Sequence, residues 1–246
     1  HAINPRLSPE FEQALWCKDI AHVRNPRLLK ALVKHLEKIG VKLVKNCEIV
    51  QFEQQGRQIT GLIDQQQQRW TADQYVICSG AWSGQLAELI GLELPVQPIK
   101  GQMISYKAPT RWLSTIVMHQ NMYLIPRLDG HILCGSTLEN TGFDDQTDQQ
   151  ALKRLMQKAA HLIPELAQLP VKQHWAGLRP AAPNGIPFIG NSPKHDNLWV
   201  NAGHFRNGIV LAPSSARLLT AQMLGQRSSI ATAPYQFAEQ LYRVAN

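Results

Sequence analysis

Only four cysteines occur in the sequence, Cys17, Cys47, Cys78 and Cys134, and no two of them form a C-x-x-C pair. That spacing argues against a disulfide frame or a cysteine zinc site and suits the reduced thiols of a cytoplasmic protein. No run of about eighteen apolar residues is present, so no membrane span is expected. The net charge is +7, yet no Lys/Arg run with interleaved aromatics concentrates it. The charge therefore reads as solvated surface, and no nucleic-acid partner is expected. G-x-S-x-G, H-E-x-x-H and a phosphate-loop motif are all missing, and the nine histidines fall at no ligand spacing. Triad, metal and nucleotide-hydrolysis chemistry lose their usual sequence support, so no catalytic acid, base or nucleophile and no metal is assigned. Sixteen glycines are present without a single G-x-G.

The 246 residues, 44% of them apolar and 17% charged, suffice for a real core and suit one large domain or two small ones. The order of patterns predicts a mixed α/β (α+β) chain. NPRLLKALVKHLEKIG (25–40) reads as a helix, with Asn25 as N-cap, Pro26 in the first turn and Gly40 as stop. Its stripe of Leu28, Leu29, Leu32, Val33, Leu36 and Ile39 predicts one buried face. VKLVK, EIVQFEQ and QITGLID then read as a β-meander. In DQYVICSGAWSGQLAELIG (73–91) a buried strand enters a small-residue turn and a short helix, an arrangement that serves either as a ligand position or as an ordinary βα connection. A β-rich stretch follows from about 96 to 140, with a hairpin turning at Asp129-Gly130. Helix 147–163 is predicted next, with Thr147 and Gln150 as a capping box, then the strand VKQHWAGLRP, a Pro/Gly-rich loop (180–193) and a closing strand, turn and helix (210–224).

Three residues could carry binding. Arg179 ends a strand among apolar neighbours, where it is either a planar fork for a carboxylate or an arginine snorkelling to solvent. Arg206 stands in NAGHFRNGIVLAP (201–213), where a turn bracketed by glycines opens a helix. The unpaired N–H groups at that helix end attract an anion or a ring that gains negative charge; otherwise the turn's polar groups satisfy their own backbone. Pro213 is compatible with a helix starting near Ile209 or Val210. Tyr123, in MYLIPR, is either half-buried packing or a substrate contact.

ADQYVICSGAWS (72–83), PVQPIKGQ (95–102), MYLIPRLDG (122–130), WAGLRPAAPNGIPFIG (175–190) and AGHFRNGIVLAP (202–213) together resemble the FAD-dependent D-amino-acid oxidase superfamily. The likeness is to its glycine oxidase/sarcosine oxidase branch and to the glycine oxidases of thiamin biosynthesis. It implies a substrate-carboxylate arginine at Arg179, a substrate-holding tyrosine at Tyr123, and Arg206 lining the same site. It also implies a flavin-ring turn from His204 through Phe205, Arg206, Asn207, Gly208 and Ile209 to Val210, with Gly80 in the strand–turn–helix and Ile49 beside the adenine part. The implied chemistry is hydride transfer from an amine-bearing carbon to FAD, hydrolysis of the resulting imine, and reoxidation by oxygen with release of peroxide. No cysteine lies near the family's covalent attachment points, so the FAD would be non-covalent. Where glycine oxidases place a histidine two positions before the tyrosine, this chain has Asn121, with His119 two residues earlier.

The superfamily begins with a strand and G-x-G-x-x-G, which this chain lacks; with the absent initiator Met, that creates the expectation of a C-terminal portion missing about a hundred or more residues. Residues 28–95 and 182–237 are expected to be a partial FAD-binding domain. Residues 1–27 and 96–181 are expected to form a mainly antiparallel substrate domain. Partners would be a small amino acid or amine, with a homo-oligomer left open. Two alternatives stand beside the oxidase: a fragment or subunit that cannot hold FAD without a dinucleotide-binding half, and a D-amino-acid dehydrogenase.

Overall fold

The structure, a computed structural model, describes residues 3–237. In chain order its main elements are helix α1 (Asn25–Lys38), strands β1 (Ile49–Gln55), β2 (Gln58–Asp64), β3 (Arg69–Trp70) and β4 (Tyr75–Ile77), and helix α2 (Ser83–Glu88). Strands β5 (Gln97–Lys107), β6 (Val117–His119), β7 (Met122–Pro126) and β8 (His131–Gly135) precede helix α3 (Gln149–Leu162). Strands β9 (Val171–Ala181), β10 (Phe188–Asn191) and β11 (Leu198–Ala202) lead to helix α4 (Gly208–Met223). The described residues divide into two compact units, one of residues 3–24 and 100–178, the other of 25–99 and 179–237.

The first unit is built on a sheet of order β6-β7-β8-β5-β9. Pairing is antiparallel from β6 to β7, β7 to β8 and β8 to β5. The hairpin expected at Asp129-Gly130 is present: Arg127 and His131 close it, and Gly130 takes φ +86°, the conformation a Cβ disfavours. One face carries Ile104, Leu124, Ile132 and Cys134, which share a core with Leu155, Ala159 and Leu162 of α3. The cap of α3 differs from the expected Thr147/Gln150 box. Asp148 is the N-cap, accepting the Ala151 N–H at 2.7 Å, while the Gln102 amide donates to its other oxygen at 2.6 Å. A carboxylate serves two donors where a threonine hydroxyl would serve one helix N–H. Beside it the buried Lys100 ammonium meets Asp144 at 2.6 Å and Glu139 at 3.6 Å, which ties the 139–148 loop to β5.

The second unit contains two small sheets. β1, β2 and β3 form an antiparallel meander, while β11 pairs parallel with β4 and antiparallel with β10. Their common core includes Phe52, Ile59, Tyr75, Ile77, Phe188, Leu198 and Val200. Residues 41–45, expected as the first meander strand, pair with no strand among the described residues and stay extended without a ladder. Helix α1 forms as expected, but its apolar stripe is uncovered: no residue of it is buried, and Leu29 and Leu32 are 57% and 49% exposed. Helix α4 starts at Gly208, one or two residues earlier than expected, so Pro213 lies past the first turn and interrupts one backbone hydrogen bond there.

Candidate functional site

In the second unit the parallel pairing of β4 with β11 organises the candidate site. Ile77 lies opposite Val200, and Gly80 and Gly203 each stand three residues beyond that pair, so two turns leave the sheet at one end. In open α/β sheets the carboxyl ends of parallel strands are the usual ligand edge, because turns there expose backbone N–H groups. Both glycines have positive φ, +59° at Gly80 and +86° at Gly203. Gly203 also has no room for a side chain: a Cβ there would fall 2.7 Å from the Ala182 Cβ.

A third segment reaches the same edge. Ala181 forms an antiparallel bridge with His204, which sets the end of β9 beside the turn. Arg179 is two residues earlier on that strand, roughly 7 Å along it at 3.3 Å per residue. The strand continues through Pro180 to Ala181, so Arg179 is a strand residue and half-buried, where a strand-terminal arginine was expected. Segments 78–82, 179–182 and 203–208 are thus gathered by two ladders and one bridge.

The turn is pinned onto its own helix. The His204 ring sits 3.0 Å from the Ser215 hydroxyl of α4, and burial holds its pKa below the ordinary 6.5, which favours the neutral imidazole. Phe205 takes φ +46°, a strained value for a phenylalanine. Arg206 and Asn207 are exposed. Gly208 opens α4, followed by Ile209 and Val210, which are 43% and 74% exposed.

These residues fit the ring end of the implied FAD. The first N–H groups of α4 have no intrahelical partner, and two exposed aliphatic side chains beside them give a flat aromatic system an apolar surface. Gly80 adds an open turn in which nothing lies within 4 Å of a hypothetical Cβ. Ile49 heads β1 and packs half-buried on the unit's core, in the meander sheet and apart from the β4/β11 edge. No G-x-G is present to hold a pyrophosphate.

In the first unit Tyr123 lies on β7, half-buried, on the face opposite the α3 core, and Asn121 is exposed in the turn before it. The Tyr123 hydroxyl is 3.7 Å from the Met103 sulfur. Sequence patterns did not single out Ala182, Ser215, Met103 or Gly135, which lie against Gly203, His204 and Tyr123. The AGHF and RPAA strings carry small residues at those places, but a small residue says nothing of what approaches it. Among the described residues no group of three or more His, Cys, Asp or Glu could hold a metal ion, and no helix is long and apolar enough to cross a membrane.

Comparison with known proteins matches residues 1–222 to a family described as FAD dependent oxidoreductase. The chain is 46% identical over 232 residues to a glycine oxidase of Pseudomonas putida, covering 94% of this chain and 63% of that protein. It is 44% identical over 242 residues to a glycine oxidase of Pseudomonas aeruginosa, covering 98% and 66%. The crystal structure of glycine oxidase from Geobacillus kaustophilus superposes with a TM-score of 0.81 at 31% identity, over 86% of this chain and 57% of that one. The chain thus spans just under two thirds of the length of these two curated relatives.

Proposed function

The chain belongs to the FAD dependent oxidoreductase family, and from that premise we propose that it carries the substrate-recognition and flavin-ring parts of a glycine-oxidase-type enzyme, which oxidatively deaminates glycine or another small amino acid or amine with oxygen as acceptor. The observation that supports this most is the gathering of Arg179, the His204–Gly208 turn and the Gly80 turn at the carboxyl end of one parallel strand pair. Two relatives named glycine oxidase, at 46% and 44% identity, support the substrate class.

Bound non-covalently, FAD would supply the hydride acceptor. In this reading the chain's own residues bind and orient. Arg179 takes the substrate carboxylate through a bidentate, charge-assisted pair. Arg206 adds positive charge at the same turn, and the N–H groups opening α4 stabilise negative charge that develops beside them. Tyr123 and Asn121 supply polar contacts to the substrate. The neutral His204, bound to Ser215, holds the turn in place. We read residues 25–99 with 179–237 as the FAD-side unit and residues 1–24 with 100–178 as the substrate-side unit.

Arg179→Ala in the FAD-loaded protein is expected to raise KM for the amino acid by a factor corresponding to about 2–4 kcal/mol. An unchanged KM removes Arg179 from the site. Oxygen uptake with glycine, sarcosine and D-alanine identifies the substrate and separates an oxidase from a dehydrogenase. The lack of any G-x-G favours a second reading, a subunit or fragment that does not hold FAD alone. Titration of the purified chain with FAD decides it: stoichiometric flavin absorbance ends that reading, and a colourless chain ends autonomous catalysis.

A further inference from the structure

The face of the first unit's sheet opposite α3 carries a gap in its middle strand. Gly135 on β8 pairs with Met103 on β5 at one side and with Tyr123 on β7 at the other. The three residues form a row across the ladder, two large side chains flanking a glycine. A Cβ on Gly135 would lie 2.7 Å from the Met103 Cγ, 3.1 Å from its Cε and 3.3 Å from the Tyr123 hydroxyl. The space above Gly135 is therefore filled from both sides, and the two side chains meet over it with Tyr123 Oη 3.7 Å from Met103 Sδ. A glycine inside a strand weakens the strand unless neighbouring side chains cover it, and here the covering pair includes the expected substrate tyrosine. A thioether accepts a hydrogen bond only weakly, so it satisfies the hydroxyl without competing with a carboxylate or amine for it. The larger contribution is steric: the unbranched Met103 side chain limits how far the phenol can swing over the glycine.

We propose that Met103 is a positioning residue for Tyr123, acting across the gap that Gly135 leaves, and so sets the affinity for the small amino-acid substrate. The proposal rests on the reading of Tyr123 as a substrate contact. It concerns KM and leaves kcat to the residues at the reacting carbon.

Two measurements test it. In the FAD-loaded protein Met103→Ala is expected to raise KM for glycine about three- to tenfold with kcat within twofold, as loss of one oriented polar contact does. Met103→Leu, which keeps most of the bulk, is expected to restore KM to within about twofold, and Met103→Ala in a Tyr123→Phe background is expected to add nothing further. Gly135→Ala should act in the same direction as Met103→Ala. The second measurement needs no flavin. In the chain labelled at its five methionine methyls, the Met103 signal, identified by its loss in Met103→Leu, is expected to move in Tyr123→Phe. A Met103 signal that stays in place, or a KM unmoved by Met103→Ala while Tyr123→Phe raises it, overturns the positioning role alone. An equal further rise of KM on adding Met103→Ala to Tyr123→Phe also overturns it, because the effect would not pass through the hydroxyl. Tyr123→Phe leaving KM unchanged overturns the reading of Tyr123 and this proposal with it.

Discussion

Gly203 shows how a single residue joins two segments. Its φ of +86° and the 2.7 Å that would separate an added Cβ from Ala182 are independent demands, one on the backbone and one on the neighbouring strand end. Gly203→Ala is expected to destabilise the chain by about 2–4 kcal/mol through left-handed strain plus overpacking, read as a lower urea midpoint at unchanged slope. A midpoint equal to the parent's would mean that β9 does not press on the turn. The glycine stands in AGHF, just ahead of a helix pattern, and its turn was legible there. Ala182 as the reason for it was not, because 21 positions separate the two residues and only the Ala181–His204 bridge brings them together. His204 follows the same logic: its place in the turn could be read from the sequence, whereas Ser215 as its partner required α4 to be in place.

At the scale of elements, α1 and α3 show what an amphipathic pattern does and does not specify. Both are helices of 14 residues with a clear apolar stripe. In α3 the stripe is covered by the sheet, with Leu155 and Ala159 fully buried; in α1 it meets solvent. Periodicity chooses which face would be buried but cannot show whether anything lies on it. The two helices should therefore respond differently. Leu155→Ala is expected to cost about 2–5 kcal/mol by opening a cavity in the core. Leu32→Glu, at a half-exposed position, is expected to change stability by no more than about 0.5 kcal/mol. Urea unfolding of both variants checks the pair, and a large loss at Leu32 would show that the α1 face is covered in this chain. Residues 41–45 follow the same rule: the alternation of VKLVK is strand-like, but a strand also needs a ladder partner.

Over the whole molecule, acid stability reports the imidazoles that the fold holds below their ordinary pKa. His204 and His195 in the second unit are held below the ordinary 6.5, by burial first, and at His195 also by nearby Arg57 and Lys194. His22 in the first unit, although exposed, is lowered by partial desolvation of its ring and then by the Arg127 charge. A lowered folded pKa means that the unfolded chain binds more protons, so this stability is fully present above pH 6.5 and is lost as pH falls toward the folded values. Unfolding midpoints are expected to stay level from pH 8 to about 7 and to decline below about 6.5. A second decline is expected below the ordinary carboxylate value of 3.8, where Asp129, Asp144 and Asp148 lose their hydrogen-bonded ionised forms. In His204→Asn the first decline should be shallower, and an identical slope would remove His204 from it.

The amino-acid sequence by itself determined the local units: the helix at Asn25, the hairpin at Asp129-Gly130, the strand–turn–helix around Gly80 and the glycine-bracketed turn at 203–208. Each depends on side-chain size, capping or φ preference within a few residues, which a linear chain displays directly. It also carried the likeness to the oxidase family, since the motif blocks keep their order. Tertiary structure alone decided that β4 and β11 run parallel and so bring two distant turns to one edge. It alone decided that Asp148 caps α3, that the α1 stripe stays open, and that Met103 and Tyr123 close over Gly135. Those facts depend on which strand pairs with which and at what register, and pairing between residues a hundred positions apart is fixed by the packing of the whole fold.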